Sequence, residues 1–477
     1  MYLLVPVLTC IANVALATHG LSPVKVQYGL IEGGRCDNAS RGEFFKGIPF
    51  AQPPTEGLRF APPVPASHRY AGGKLLAKSQ PPACIQFSSD FAVDGPTSED
   101  CLYLNVFVPP FVGPTSKLPV RVWVYGGSNT ASGISDPLYD GCDATSSGAI
   151  IVTLNYRLGA LGWLSLPGTQ IRGNQGIQDI ILALPWVHHN IASFGGDPVN
   201  CIRALPVEAL QSSYTSLPIL RTGFGHYPGL GADSAYTATM GPFVDGHIIP
   251  RQPSQVGVAV PSIFGFNTND AALFVLTTFR SPLLVTPANY SAFLRQDYGE
   301  AASLRLQAAF PLASFNRSQF PAYSAMEEIY TLSQYKCPAL RGAAKAYAHE
   351  IPSWVYAFNH TLTCPWIPGI PVPALPLFGP THTAELPFVF GHTTRLPLPN
   401  GTCSLTNAEK NLSSVIQEIW TNTASEQSPQ GIVPEWHPFE RTSCHGVVFD
   451  VGAVVGNVDC GPCDVFDEFS VAFDPAY

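Results

Sequence analysis

Residues 173–200 read GNQGIQDIILALPWVHHNIASFGGDPVN, and the chain continues with CIRALP from Cys201. The apolar residues in the first part of this stretch recur at intervals of three and four, which predicts an amphipathic helix. The glycines and the proline of Phe194–Pro198 predict a turn that ends the helix. After this turn, only Val199 and Asn200 precede Cys201. The apolar face of the helix consists of Ile177, Ile180, Ile181, Leu184, Trp186 and Val187.

The composition is that of a folded, acidic protein. Its 477 residues suffice for one large α/β domain or for two to three domains of average size. A content of 46% hydrophobic and 12% charged residues is typical of a globular core and argues against disorder. The formal net charge of −9 argues against a nucleic-acid partner, because phosphate binding needs a positive field.

The N-terminal stretch predicts secretion. Residues 1–17 (MYLLVPVLTCIANVALA) are apolar and end in Ala15-Leu16-Ala17, which predicts a signal peptide that is cut after Ala17. A buried first strand and a membrane anchor are the alternatives for this stretch. No later stretch reaches the roughly 18 apolar residues of a transmembrane helix. Six Asn-X-Ser/Thr sequons support an extracellular location and predict glycosylation at Asn38, Asn289, Asn316, Asn359, Asn400 and Asn411.

Four runs have the length and pattern of β-strands. Val24–Glu32 alternates between apolar and polar residues, as a half-buried strand does. Val120–Tyr125 and Ala149–Asn155 are apolar almost throughout, which is expected of strands covered on both faces. Ser353–Asn359 is a further predicted strand, and residues 280–350 are predicted to be mostly helical.

Three motifs carry a family resemblance: FKGIPFAQPP at Phe45–Pro54, SEDCLYLN at Ser98–Asn105 and HTAELPFVFG at His382–Gly391. With them the chain resembles the type-B carboxylesterase/lipase family, the cholinesterase-like branch of the α/β-hydrolases, and its proline-rich style is similar to that of the secreted fungal members. The resemblance runs in order over about residues 25–460. It implies an α/β-hydrolase fold, with a mostly parallel central sheet flanked by helices, as a single domain over residues 18–477.

The resemblance also implies a serine-esterase mechanism with named site residues. His382 has the position of the triad base, and Thr383 replaces the glycine that follows it in the family. Asp270 has the position of the triad acid, where the cholinesterase-like members carry a glutamate that is one methylene longer, and Ala271 replaces the next glycine. The family loop whose backbone N–H groups bind the oxyanion corresponds to Gly126, Gly127 and Ser128.

The nucleophile of the family is missing from this sequence. In the family, a short central strand follows the turn at Phe194–Pro198 and ends in G-x-S-x-G, yet this chain contains no G-x-S-x-G. The segment that begins at Cys201 resembles a family segment found several tens of residues beyond that serine. The resemblance therefore implies an internal deletion at residues 200/201 that removes the serine and the central strand.

The cysteine count agrees with this deletion. Twelve cysteines, less Cys10 in the signal peptide, leave eleven, which is an odd number in a compartment that favours disulfides. In the family, the cysteine that opens C-x-R-A-L-P pairs with one shortly upstream, so Cys201 is expected to be an orphan. The resemblance also pairs Cys84 with Cys101.

Other conspicuous residues are expected to be structural. The resemblance pairs Arg59 with Glu99 and Arg157 with Asp179 as ion pairs, since buried charges persist only when they are paired. CGPC at Cys460–Cys463 has the letters of a thioredoxin motif but no room for that fold, so it predicts a surface disulfide or two separate pairings. No metal-ligand spacing or phosphate loop is evident, and we expect neither a metal nor a cofactor.

Two functions follow from these observations. The first is a secreted carboxylic-ester hydrolase that acts on small-molecule or lipid esters, represented here by a chain without its nucleophile and therefore inactive as written. The second is a non-catalytic binding or adhesion protein. The His382 motif and the oxyanion loop favour the first function, because a pure binding protein needs neither. An incomplete transcript or gene model is the favoured origin of the deletion, because a non-catalytic relative would more naturally replace the serine and keep the strand.

Overall fold

The computed structural model describes residues 23–37, 41–86, 92–166, 168–198, 242, 244–251 and 256–466. The signal peptide, Asn38 and the junction of Asn200 with Cys201 lie outside the described residues. The strands are β1 (Val24–Val26), β2 (Gly29–Glu32), β3 (Gly34–Arg35), β4 (Glu43–Pro49), β5 (Lys74–Leu76), β6 (Ala83–Cys84), β7 (Thr97–Ser98), β8 (Tyr103–Val108), β9 (Val120–Val124), β10 (Ile150–Leu154), β11 (Ser262–Asn267), β12 (Ser353–Phe358), β13 (His445–Asp450) and β14 (Gly452–Asn457).

Helices surround these strands, and the predicted helix of the opening stretch is α2. The α-helices are α1 (Gly159–Trp163), α2 (Gln175–Asn190), α3 (Ala272–Phe279), α4 (Pro287–Ala309), α5 (Pro321–Thr331), α6 (Cys337–Ala348), α7 (Leu375–Phe378), α8 (Leu386–Phe390) and α9 (Asn407–Glu426). A π-helical turn, Leu332–Lys336, joins α5 to α6. Among the described residues, no helix is both long and apolar enough to cross a membrane.

The first large sheet has the strand order β3-β4-β8-β10-β9. Its first three strand pairs are antiparallel, and β9 pairs with β10 in parallel. All five residues of β10 are buried, as their uninterrupted apolar run predicts for a strand covered on both faces. This sheet is therefore less parallel than predicted, because β3, β4, β8 and β10 pair antiparallel with one another in that order.

The second large sheet has the order β11-β12-β13-β14. Its first three strands are mutually parallel, and β14 returns antiparallel to β13. Five of the six residues of β12 are buried, since this strand has a neighbour on each side. The α/β class predicted from the sequence is therefore confirmed.

The prediction of a single strand over Val24–Glu32 is wrong, because this segment forms a hairpin of two strands. A turn at Gln27–Tyr28 divides it into β1 and β2, which pair antiparallel. Alternation of polar and apolar residues continues through the turn, so the pattern alone did not reveal the break.

The strands β9 and β11 are the outer strands of the two large sheets, and they line a common cleft. Four of the five residues of β9 and four of the six residues of β11 are only half-buried, in contrast to β10 and β12. Among the described residues, no strand lies between β9 and β11. The helix α9 packs against β9 and against β14, so it connects the two sheets.

Disulfides and ion pairs hold the loops to this core. Both predicted ion pairs are present, with Arg59 bidentate to Glu99 at 2.6 and 2.7 Å and Arg157 bidentate to the buried Asp179 at 2.8 and 2.7 Å. The described disulfides are Cys36–Cys142, Cys84–Cys101, Cys337–Cys463, Cys364–Cys403 and Cys444–Cys460. The two cysteines of CGPC therefore belong to separate disulfides, which was one of the predicted alternatives, and Cys10 and Cys201 lie outside the described residues.

Candidate active site

Asp270 and His382 are brought together by the ends of two segments. Asp270 lies just after β11, and His382 lies four residues before α8. The Asp270 Oδ1 atom is 2.8 Å from the His382 Nδ1 atom. The shorter side chain of aspartate thus reaches the imidazole, although the two residues are 112 positions apart in sequence.

A second layer of hydrogen bonds fixes both partners. The other carboxylate oxygen of Asp270 accepts a bond from the backbone N–H of Asn267 at 2.9 Å. The backbone N–H of His382 donates to the carbonyl oxygen of Asp270 at 3.1 Å, and the Thr381 hydroxyl donates to the same oxygen. The pair is therefore held by the backbone as well as by its side chains.

The surroundings of His382 favour its protonated form. Burial alone lowers the pKa of His382, but the hydrogen bond and charge of Asp270 and the charge of Glu385 outweigh it, so the net pKa lies above 6.5. The side chain is 34% exposed, so a substrate can reach it, while that of Asp270 is 6% exposed. A half-exposed base in front of a buried acid is the arrangement that general-base catalysis requires.

Two aromatic rings flank the imidazole. The centroids of Phe274 and Tyr335 lie 5.1 and 5.2 Å from that of His382, each at a tilted angle. Phe274 belongs to α3, which begins directly after Asp270 and Ala271, whereas Tyr335 comes from the π-helical turn Leu332–Lys336. The sequence analysis missed Tyr335, because a π-helical turn has no clear sequence signal, although such turns are frequent at functional sites.

The predicted oxyanion loop follows β9. Gly127 has φ +111°, and a Cβ atom at this position would lie 2.3 Å from the carbonyl oxygen of Ala131, so the loop requires glycine here. Ser128 and Asn129 also have positive φ angles, of 53° and 62°. The carbonyl oxygen of Asn129 accepts bonds from Gly159 N and Trp163 Nε1, which anchors the loop to α1.

Glu385 connects the loop side of the site to the acid–base side. Its carboxylate accepts a hydrogen bond from Asn267 Nδ2, at the end of β11, at 2.6 Å. The pKa of Tyr139 is raised mainly by burial, then by the charge of Asp136, and to a smaller extent by the charge of Glu385. The ring of Tyr139 stacks on that of Tyr125, with centroids 6.3 Å apart. Because Tyr125 directly precedes Gly126, the charge of Glu385 acts on side chains next to the predicted oxyanion loop.

A further buried carboxylate, Glu327, lies behind the acid and was missed by the sequence analysis. Its side chain accepts hydrogen bonds from Asn269 Nδ2 at 3.2 Å and from the Thr331 hydroxyl at 2.9 Å. Burial, which outweighs these hydrogen bonds, and the nearby charges of Glu328 and Asp270 raise its pKa to about 8. The available signal was a glutamate on the apolar face of α5, among Ala322, Ala325, Met326 and Ile329.

The two departures from the family glycines have different structural consequences. Ala271 has φ −82°, which any residue adopts, so its side chain costs nothing. Thr383 has φ +69°, a conformation that disfavours a β-branched residue. Its hydroxyl donates to the carbonyl oxygen of His382 at 2.5 Å and accepts from Trp366 Nε1 at 2.9 Å. These bonds offset part of the strain.

The remaining predicted site residues are disulfide cysteines and sequon asparagines. Cys84 and Cys101 form a disulfide that leads into β8. Within the described ranges, no group of His, Cys, Asp and Glu residues could hold a metal ion. Among the sequon asparagines, Asn289 is half-buried, and the exposed ones are Asn316, Asn359, Asn400 and Asn411.

Comparison with known proteins gives consistent matches. A model described as the carboxylesterase family matches residues 21–200 and 199–454. The crystal protein of Dictyostelium discoideum is 30% identical over 533 residues, which cover 95% of this chain and 92% of that protein. Cocaine esterase of Homo sapiens is 28% identical over 488 residues, which cover 83% of this chain and 82% of that protein. Para-nitrobenzyl esterase of Bacillus subtilis (strain 168) is 28% identical over 507 residues, which cover 92% of this chain and 96% of that protein.

Proposed function

The chain belongs to the carboxylesterase family and has its α/β-hydrolase fold, and on this basis we propose that its gene encodes a secreted carboxylic-ester hydrolase. The pair of Asp270 with His382 at 2.8 Å is the observation that carries the proposal. A carboxylate on Nδ1 of an imidazole fixes the tautomer whose Nε2 accepts a proton. Such a pair, in a chain whose β9 is followed by a glycine loop with positive φ angles, suits acyl transfer at an ester.

The proposed reaction has two steps. A serine oxygen attacks the ester carbonyl carbon while its proton passes to His382 Nε2, and the Gly126–Ser128 loop binds the oxyanion. The bond to the alcohol breaks, and the alcohol takes the proton from His382. Water then attacks the acyl-enzyme, His382 accepts its proton, and the acid leaves as the proton returns to the serine.

The chain as written is proposed to lack the serine for this reaction. It contains no G-x-S-x-G, and removal of the nucleophile costs on the order of 10⁶-fold in kcat in a well-studied serine protease. We therefore expect no turnover above background from this chain.

A longer form of the protein is proposed to supply the serine. The alignment with the Dictyostelium protein spans 533 positions, more than the 477 residues of this chain, so at least 56 positions face a gap in it. The family model matches this chain in two segments, which meet at residues 199 and 200. A segment inserted between Asn200 and Cys201 with one further cysteine would account for both facts and for the odd cysteine count.

The test is to sequence transcripts across the codons of Asn200 and Cys201, and to assay both protein forms with p-nitrophenyl esters of short and long acids. We expect a longer transcript with a G-x-S-x-G codon run, hydrolysis by its product and none by the present chain. Hydrolysis that resists a serine-directed organophosphate would contradict the mechanism. If every transcript joins Asn200 directly to Cys201, the hydrolase proposal fails.

A non-catalytic binding protein is the second candidate. The missing elbow and the replacement of the family glycine by Thr383 favour it. It predicts that no form of the protein hydrolyses esters while the fold persists. A cooperative unfolding transition in a protein that remains inactive with every ester tested would support this candidate.

Secretion and glycosylation complete the proposal. The described disulfides are compatible with an oxidising compartment. We expect the mature protein to begin at Thr18, after cleavage behind Ala17, and to lose mass on treatment with an N-glycosidase. Intracellular retention of an uncut, unglycosylated chain would contradict this part of the proposal.

A further inference from the structure

Glu327 is a buried carboxyl group that the proposed reaction does not use. It lies on α5, and its side chain belongs to a residue that is only 6% exposed. A carboxyl group is costly to bury, and its two hydrogen-bond partners here, an amide and a hydroxyl, carry no charge that would offset this cost. The positions of these two partners in the chain indicate what the buried group does.

The first hydrogen bond holds the residue before Asp270. Asn269 Nδ2 donates to Glu327 Oε2 at 3.2 Å. Asn269 also contacts the segment that carries the base, because its backbone N–H donates to the carbonyl oxygen of Pro380 at 3.2 Å and its side chain packs on Gly379. A displacement of Asn269 would therefore move the backbone of both segments that form the acid–base pair.

The second hydrogen bond holds the residue after Asp270. The hydroxyl of Thr331, one helical turn beyond Glu327, donates to Glu327 Oε1 at 2.9 Å. The same hydroxyl oxygen accepts the backbone N–H of Ala271 at 3.0 Å. Thr331 and Ala271 are both buried, so these bonds form away from solvent. The two oxygens of one carboxyl group thus hold the chain on either side of the acid.

The carboxyl group of Glu327 is neutral near pH 7. Burial is the main cause, and the charges of Glu328 on the same helix and of Asp270 add to it, so the pKa rises to about 8 although the bonds from Thr331 and Asn269 oppose the rise. A neutral acid can hold the chain around Asp270 without placing a second negative charge beside it. Glutamine has nearly the same shape and no charge, and is therefore the conservative replacement.

We propose that Glu327 is a positioning residue, which fixes the backbone on both sides of Asp270 and so keeps the Asp270 carboxylate on Nδ1 of His382. This inference rests on the proposed function, in which the pair supplies the base of an esterase, and it adds a residue of α5 to that site. Burial lowers the pKa of His382, and the hydrogen bond and charge of Asp270 raise it more. A carboxylate that moves away from Nδ1 should therefore lower the proton affinity of His382.

The test is an NMR titration of the present chain with isotopically labelled histidine, in which the His382 resonance is assigned by its absence from His382→Gln. In Glu327→Ala both hydrogen bonds are lost, and we expect the proton affinity of His382 to fall by roughly three- to ten-fold. Glu327→Gln keeps the bonds and should titrate like the parent. Glu328→Ala, at the next position of the same helix and half-buried, is the matched control and should leave the proton affinity of His382 unchanged.

A second variant applies if Glu327→Ala does not fold. Thr331→Val replaces the hydroxyl by a methyl group of similar size and cuts the link to Ala271. With near-ultraviolet circular dichroism retained, it should lower the proton affinity of His382 by roughly two-fold or more. A merely structural role of Glu327 would lower stability and leave the titration of His382 in the folded protein unchanged.

Parent-like titration of His382 in folded Glu327→Ala, or in folded Thr331→Val, overturns the proposal. An equal loss of proton affinity in Glu327→Gln and Glu327→Ala also overturns it, because the hydrogen bonds would then not be the cause. The titration needs no turnover. If no form of the protein hydrolyses esters, the proposed function fails, while the titration still decides whether Glu327 positions the pair.

Discussion

At the scale of single residues, the site is a set of charges around one imidazole. Asp270 raises the pKa of His382 against the opposing effect of burial, so the two contributions can be separated by mutation. In Asp270→Asn, burial remains while the charge is gone, and the pKa of His382 should fall below 6.5. Histidine resonances in an NMR titration of the present chain measure this pKa without any need for activity.

The exposed His349 provides the internal control for this titration. At any one pH its resonance should have the same chemical shift in the parent and in Asp270→Asn, since it lies exposed at the end of α6. An unchanged pKa of His382 would mean that Asp270 does not orient the base. The proposed mechanism would then lose its acid.

Single residues show most clearly which parts of the site could be predicted from the sequence. His382 was predicted because it stands within a motif that the chain preserves closely, and Asp270 because Gly265 and Asn267 place it at the acid position of a family pattern whose glutamate and following glycine are replaced here. Tyr335 and Glu327 were not, because their positions beside the pair result from packing of α5 and the π-helical turn against α3, and no local pattern encodes that packing. The sequence therefore predicted the Asp270–His382 pair better than the side chains packed around it.

Glu327 leads to a prediction about stability. Its pKa of about 8 in the folded protein exceeds its ordinary value of 4.5, so the unfolded chain releases this proton first and stability falls as pH rises from 4.5 to 8. Glu327→Gln keeps acceptors and donors for Asn269 and Thr331 but cannot ionise. We expect it to be more stable than the parent by roughly 2–4 kcal/mol at pH 8 and nearly equal at pH 4.5.

Urea unfolding at both pH values checks this expectation. Glu300→Gln, at an exposed position of α4, is the matched control and should follow the parent at each pH. A Glu327→Gln variant that is less stable than the parent at pH 8 would show that the carboxylate is ionised and paired in the fold.

At the scale of elements, Glu409 joins the start of α9 to the loop after β12. Its carboxylate accepts bonds from the backbone and hydroxyl of Thr406, which form a capping box, and from the backbone and hydroxyl of Thr363. His360 lies between Glu409 and Asp450, at 3.2 and 2.9 Å. One side chain thus secures a helix, a loop and, through His360, the end of β13.

Glu409→Ala should therefore destabilise the protein by about 3 kcal/mol, because the buried His360 and the backbone and hydroxyl donors of Thr363 and Thr406 lose their common acceptor. Despite burial, which opposes ionisation, hydrogen bonds from His360 and Thr363 lower the pKa of Glu409 to about 2, so its contribution is lost as pH falls from 4.5 to 2. Burial lowers the pKa of His360, but both carboxylates raise it more, so its contribution is complete below 6.5 and is lost as pH rises through the folded value. The loss of stability in Glu409→Ala relative to the parent should thus be largest between about pH 5 and 6.5.

Thermal or urea unfolding across this pH range measures the deficit. Glu418→Ala, at an exposed position of the same helix, should change stability by less than about 0.5 kcal/mol. If both variants behave alike, helix propensity and not the Glu409 network accounts for the change.

At the scale of elements, strand prediction succeeded for uninterrupted apolar runs and failed where a turn is tight. The apolar runs that became β10 and β12 were predicted within one residue at each end, because a strand covered on both faces leaves an uninterrupted signal. The mixture of parallel and antiparallel strand pairs could not be predicted from the apolar runs of the sequence, since the direction of a pair depends on which strands become neighbours. The turn at Gln27–Tyr28 does not interrupt the alternation of polar and apolar residues and was therefore not predicted.

At the scale of the whole molecule, the two large sheets are connected by α9, and among the described residues they share no backbone pairing. This arrangement leaves β9 and β11 with a neighbouring strand on one side each among the described residues, while β10 and β12 have neighbours on both sides. Amide protons at such an edge exchange through local opening, which costs less free energy than opening of a central strand.

The longer form proposed above should change this pattern. If its extra segment supplies a strand between the sheets, the amides of β9 and β11 gain partners, and five or six further apolar side chains become buried at roughly 1.5–3 kcal/mol each. That total rivals the entire net stability of a domain, about 5–15 kcal/mol. We therefore expect slower exchange at β9 and β11 and a higher urea midpoint in the longer form.

Hydrogen exchange measured by mass spectrometry on both forms tests this prediction. Peptides that cover β9 and β11 should become protected by at least ten-fold in the longer form, because a central strand opens only by sub-global unfolding. Peptides that cover β10 and β12 are the internal reference and should be protected in both forms. Equal exchange at β9 and β11 in the two forms would mean that the extra segment folds elsewhere and that the sheets of this protein are joined by α9 alone.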